Sequence, residues 1–390
     1  MLSHRTRILT LGVAALTLGM YAEIARSESP KDPANLAVQK GLKWLVSVQG
    51  KDGGWGQDGG ETSYVRQGER LESAGNDVAN TAVVAEALLH SGSSPTRGEY
   101  REPLQRAIAF ILKHVEQSPA EGLAVTDLQG TQIQRKLGPY IDTFLTSKLL
   151  AELDGAMGDA QTNARVRQSL QKCVAKIEKN QLKDGSWNIA GGWAPILGTS
   201  MASQSLSLAR QKGVAVNRVA LDRVEAYTKQ PYAQPAAVSA GAGGRVYAST
   251  ASTVEVAASA AGVPLYKRAQ ELEQLSRTTE DRKMNAPQIQ AIKAELSDSR
   301  TLAGFGSIGG EEFFSYLNIG ESLHRTGGPE WDKWNADMKS KLLKLQNEDG
   351  TWAGHHCITG RVAVTSAAIL LLQADRQPAP LIQTTSLGKR

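Results

Sequence analysis

Gln49-Gly50-Lys51-Asp52-Gly53-Gly54-Trp55 recurs as Gln181-Leu182-Lys183-Asp184-Gly185-Ser186-Trp187, and again as Gln346-Asn347-Glu348-Asp349-Gly350-Thr351-Trp352. The shared pattern is Q-x-x-D-G-x-W. Four fixed residues in every copy mark an internal repeat, and a repeat decides the architecture before any other feature does. Apolar residues at helical spacing precede each copy: Leu42, Leu45 and Val48; Val174 and Ile177; Leu342, Leu343 and Leu345. The Asp-Gly pair ends the helix, because Asp favours turns and Gly accepts positive φ. The Trp then folds back over the helix end, and its apolar area clamps one repeat to the next.

Weaker copies fill the gaps, one ending at Gln117 and one at Gln230. A second kind of helix follows each turn, rich in Ala, Ser and Thr, over 78–90, 141–153, 199–210, 253–262, 311–324 and 361–373. Small residues allow close helix approach and suit an inner ring. The amphipathic helices before the turns suit an outer ring. The stretch 265–300 reads as an enlarged outer element of the fifth repeat. Six outer and six inner helices predict an all-α fold, an (α/α)6 toroid of six helical hairpins over 34–374. The alternative for such pairs is an open superhelical array.

The Q-x-x-D-G-x-W turn after an outer helix resembles the repeat of the squalene cyclase and protein prenyltransferase superfamily. That resemblance implies the toroid, and it implies chemistries whose motifs are missing. Cyclases of this kind carry D-x-D-D, whereas Asp58, Asp77 and Asp142 are isolated carboxylates. Prenyltransferase β subunits hold zinc through Asp-x-Cys and a later His, and no Asp-x-Cys occurs. Fold alone does not fix function.

Composition narrows the classes further. The chain has 390 residues, 41% hydrophobic and 21% charged, enough to bury a full core. A net charge of +5 without a basic run interleaved with aromatics argues against nucleic acid as a partner. Two cysteines, Cys173 and Cys357, make no disulfide framework. Arg5 and Arg7, an apolar run over 8–20, and small Ala22 and Ala25 read as a signal peptide of residues 1–22 cleaved between 22 and 27. The expected product is exported, periplasmic or secreted, and not an integral membrane protein after cleavage. Residues 375–390, with Pro378 and Pro380, read as an irregular tail.

The outer-to-inner connections share one end of the ring, and long loops on a rigid scaffold commonly carry function. Trp352-Ala-Gly-His355-His356-Cys357 is the most unusual of them. His355 and Cys357 are zinc-ligand types two residues apart. They read as metal ligands, as a metal-free functional rim, or as a loop with bonded imidazoles and a small buried thiol. Glu311 and Glu312 open an inner helix. One of them is expected to face inward as acid, base or ligand, or else to complement the helix dipole. Asp77 and Asp142 read first as caps and second as ligand-binding groups. Trp193 and Arg361 complete the candidate rim. Two functions follow. One is an exported protein that binds an apolar, glycan or peptide ligand in the toroid mouth or cavity, without terpene cyclase chemistry. The other is an exported enzyme, a metal-dependent or acid/base hydrolase or polysaccharide lyase, with Glu311, Glu312, His355 and Cys357 as its centre and zinc as the cofactor of its metal-dependent form.

Overall fold

Runs of Ala, Val and Leu fold into helices buried on every face, whereas the charged amphipathic runs bury a single stripe. The computed structural model describes residues 32–58, 64–66, 69–71, 75–187, 189, 195–229, 263–298, 309–354 and 358–376. In chain order the elements are α1 (Pro33–Ser47), β1 (Tyr64–Arg66), β2 (Glu69–Leu71), α2 (Val78–His90), α3 (Arg101–Gln117), α4 (Gln132–Leu137), α5 (Ile141–Leu153), α6 (Ala160–Lys179), α7 (Pro195–Gln211), α8 (Arg218–Lys229), α9 (Val263–Leu275), α10 (Thr279–Met284), α11 (Ala286–Leu296), α12 (Gly310–Thr326), α13 (Pro329–Leu345) and α14 (Arg361–Leu372). A 3-10 turn over Ala374–Arg376 follows. Contacts divide the chain into Met1–Asp32 and Pro33–Arg390, and all these elements lie in the second unit. The fold is all-α. The two short strands form an antiparallel hairpin, with Val65 opposite Arg70, inside the long loop before α2.

Among the described residues six helices make an inner circuit. α2 packs on α5, α5 on α7, α7 on α9, α9 on α12, α12 on α14, and α14 returns to α2. The fourth position of this circuit is held by a helix that the sequence places in the outer ring. Residues 253–262 lie outside the described residues, and α9, read from sequence as outer, holds the circuit position between α7 and α12. Its residues Leu265, Ala269, Leu272 and Leu275 are buried. They supply an apolar face that the surrounding Gln, Glu, Arg and Lys obscure in the sequence. The amphipathic α3 shows the outer pattern: Leu104, Ala107, Ile108, Ile111 and Val115 form its buried stripe against α2.

The repeat turns close this circuit by one recurring set of bonds. Trp55, Trp187 and Trp352 are buried at 0%, 4% and 0% exposure, as the clamp reading requires. Each indole Nε1 donates to a carbonyl ten residues back in the preceding outer helix: Leu45 at 2.7 Å, Ile177 at 2.7 Å and Leu342 at 2.8 Å. Each Trp backbone N–H donates to a threonine hydroxyl on the following inner helix, Thr81, Thr199 or Thr365, at 2.9 to 3.1 Å. The glutamine of each copy donates both to its own turn and to the next outer helix, at Pro103, Ala220 and Ala37. Gln346 thus ties the last turn to the first helix at 2.8 Å. Gly350, at φ 89°, lies so close to Lys40 that a Cβ would come within 2.7 Å of its side chain. Glycine is required there for its conformation and for the close approach.

Candidate functional site

The C-terminal halves of α2, α5, α7, α9 and α12 meet at one end, and Ser91 after α2 bonds Gln373 after α14 there, so the ring has an end built from helix N-termini and an end built from C-termini. The expected rim is the first. Of its candidates, His355, Cys357 and Trp193 lie outside the described residues. Gly354 and Ile358, which flank the His-Cys pair, press on the start of α12: a Cβ on Gly310 would overlap the Ile358 carbonyl. Sequentially adjacent hairpins therefore meet there.

Both Glu311 and Glu312 are buried, each at 2% exposure. Neighbouring helix positions diverge by about 100°, so the two carboxyls are covered by different neighbours. Both are covered because α12 packs against α9, α13 and α14, and Gly354 and Ile358 lie on its start. Burial, then the charge of Glu311, push the Glu312 carboxyl up to about 7. Tyr316 Oη donates to Glu312 at 3.3 Å, and Lys341 Nζ donates to the same hydroxyl at 2.7 Å.

Asp77 is the N-cap of α2. Its carboxylate accepts from Asn80 N at 2.8 Å and from Asn80 Nδ2 at 2.7 Å. Asp142 accepts from Ala79 N at 3.2 Å and from Gln134 Nε2 at 2.7 Å, so it caps the neighbouring helix. Burial raises Asp77 to about 7, with Asp142 adding to the shift, and burial raises Asp142 to about 6. Arg361 is held by Asp58 at 2.8 and 3.1 Å and by Asp349 at 3.0 Å, and its guanidinium lies 4.9 Å from the Trp44 ring centre.

Among the described residues, α4 covers part of this end. α4 touches α2, α5 and α7. Gln132 reaches across to Thr359 and Gly360 on the approach to α14, at 2.9 to 3.1 Å. Ile133 and Leu137 are buried beneath it.

The opposite end is different. A cavity of about 120 Å³ is lined by His90, Lys148, Glu152, Gln204, Glu273, Glu321, His324 and Arg325, with Ser207, Leu208 and Gln211. All of them project from the C-terminal halves of inner helices. Deeper in the ring a space of about 20 Å³ is lined mainly by Val83, Phe144, Leu145, Met201, Phe314, Leu317 and Leu370. That is room for about one water-sized group. Among the described residues, these side chains pack closely around that space.

The walls of the cavity carry an ion-pair network. Lys148 Nζ lies 2.6 Å from Glu86 and 2.7 Å from Glu321, and His90 Nε2 lies 2.7 Å from Glu152. Burial lowers the Lys148 ammonium, but Glu321, Glu86 and Glu152 outweigh it and hold it well above the usual lysine range. Burial raises the Glu86 carboxyl more than Lys148 lowers it, so it stays above the usual range. Burial likewise lowers His90, and the charge and hydrogen bond of Glu152 reverse the shift. Helix C-termini carry partial negative charge, which adds to the carboxylates. Among the described residues Glu86, His90 and Glu152 place one oxygen or nitrogen each within 4.8 Å of one another.

None of these cavity residues was among the sequence candidates. The available signal was charge inside apolar runs: Glu86 and His90 in VVAEALLH, and Lys148 and Glu152 in TSKLLAEL, each pair four residues apart on one helix face. Cys173 is a buried thiol, pushed up to about 12 by burial. Among the described residues no helix is long and apolar enough to cross a membrane.

No family model matches the chain, and no curated protein matches it. Among solved structures it is similar to two variants of the type II terpene cyclase MstE from Scytonema, both in complex with geranylgeranyl dihydroxybenzoate. One is 11% identical with a TM-score of 0.34, covering 88% of this chain and 98% of that one. The other is 10% identical with a TM-score of 0.32, covering 88% and 97%.

Proposed function

We propose that this chain is an exported ligand-binding protein without terpene cyclase chemistry, and that it takes small cationic ligands at the C-terminal end of its inner ring. The observation that carries this reading is the cavity at that end. Glu152, Glu273 and Glu321 line it at the negative ends of the inner helices, and Glu86 lines the smaller space below it. Its volume suits a ligand of about benzene size. The lack of D-x-D-D weighs against cyclisation of a prenyl chain. The basic start and apolar run of residues 1–22 support export.

The test is calorimetric titration of the purified chain with n-butylammonium and n-butyrate, matched in size and opposite in charge. We expect n-butylammonium to bind, weaken with salt, and lose affinity in Glu152→Gln. Binding of n-butyrate with n-butylammonium inert would overturn the charge preference.

A second reading is an acid/base enzyme at the other end. It is favoured by three buried carboxyls, Asp77, Asp142 and Glu312, raised to about 7, 6 and 7. A general acid works best with a pKa near the working pH. Screening polysaccharide lyase and hydrolase substrates against wild type and Glu312→Gln decides it. Activity unchanged by that substitution, and by Asp77→Asn, removes the reading.

A further inference from the structure

The wall of the cavity is short of positive charge. Glu86 and Glu321 share a single ammonium, Lys148, Glu152 has only the imidazole of His90 as its ion-pair partner, and Glu86 is buried at 2% exposure. Buried carboxylates need a counter-charge, and several kcal/mol per ion is at stake when they lack one. A proton on His90 supplies part of it. A divalent ion supplies it in full, because two added positive charges neutralise the set of three carboxylates and one ammonium.

The donors stand where such an ion needs them. Glu86 and His90 are four residues apart on α2, so they lie on one face. Glu152 comes from the last turn of α5, the neighbouring inner helix. Their donor atoms are within 4.8 Å of one another, and His90 Nε2 and Glu152 Oε2 are already at 2.7 Å. Ligand atoms around a tetrahedral zinc stand roughly 3.3 Å apart, given bonds of about 2.0–2.1 Å. Torsions of two carboxylate side chains cover the remaining distance. His90 and Glu152 also line the open cavity. Three protein ligands and an open fourth position are the arrangement of reactive zinc sites, whereas structural sites are closed by four.

We propose that Glu86, His90 and Glu152 form a binding site for a divalent transition-metal ion of the zinc type, with its open coordination position facing the cavity. This names the ligand class of the cation-binding end and rests on that reading. Imidazole with two carboxylates suits Zn²⁺, Mn²⁺ or Fe²⁺. Lys148 and Glu321 lie beside the site as paired charges.

The test uses the full purified chain, freed of metal by chelation and titrated with zinc alone. We expect one equivalent to bind and to raise the melting temperature, with affinity falling at least tenfold in His90→Gln and Glu152→Gln but unchanged in the double variant His355→Gln, Cys357→Ser. X-ray absorption of the zinc-loaded wild type serves if the ligand variants fail to fold. It should show a nitrogen and oxygen shell with one imidazole and no sulfur. Sulfur in that shell, zinc retained at full affinity by His90→Gln, or no uptake at 100-fold excess over protein would each overturn the site. If n-butylammonium binds and zinc does not, the metal site falls and the cation-binding reading stands. If both are refused, both fall.

Discussion

The two ends of the inner ring are made from the same helices, yet they differ in how they handle buried acid. At the N-terminal end Asp77 and Asp142 sit among helix N–H donors under α4, raised toward neutrality by burial. At the C-terminal end Glu86 and Glu152 have Lys148 and His90 as partners, around an open cavity. Partial charge at the helix termini accounts for part of the difference. N–H groups satisfy carboxylates directly and need no cations, whereas carbonyl ends repel them and leave charge to be matched by side chains. The end whose carboxyls accept from helix N–H groups holds the ring together, and the end with charged side chains around a cavity is available for ligands.

Five substitutions test that division. Trp352→Ala should cost about 3–5 kcal/mol by urea unfolding, the range for a buried Trp, because it removes both the packing and the bond to Leu342 at the turn that joins last repeat to first. A cost below about 1 kcal/mol would mean that this turn does not hold the ring. Lys148→Met should cost about 3 kcal/mol at pH 7, since it leaves Glu86 without its partner. Part of that loss should return as Glu86 protonates on acidification.

Asp77→Asn probes the other end through pH. The unfolded carboxyl releases its proton near 3.8 and the folded one near 7. Across that window the folded chain binds more protons, so stability falls as pH rises. Asn keeps the cap and removes the titration. Its stability relative to wild type should therefore rise between pH 4 and pH 7, by on the order of 2–4 kcal/mol at about 1.4 kcal/mol per pKa unit. A flat difference would show that the carboxyl ionises without penalty. Thr365→Val should cost about 1 to 2 kcal/mol by leaving the Trp352 N–H without its acceptor. Glu321→Gln should change stability by less than about 1 kcal/mol, because the group is partly exposed and Lys148 keeps Glu86. It should still lower cation affinity, which separates ligand binding from folding at that end.

The sequence by itself determined the repeat, and with it the all-α fold and the burial of Trp55, Trp187 and Trp352. Each of those rests on local chemistry: a Gly that must take positive φ, an Asp that closes its own turn, and an indole that reaches ten residues back along one helix. Inner helices of Ala, Val and Leu were legible for the same reason, since a helix apolar on every face has nowhere else to go. Only the tertiary structure decided that α9, with its mixed sequence, takes an inner position, and that α4 covers part of the expected rim. Only it brought Glu86 and His90 together with Glu152, across 62 residues of chain. Such pairings depend on which helix faces which and in what register. The periodicity within one helix carries no record of either.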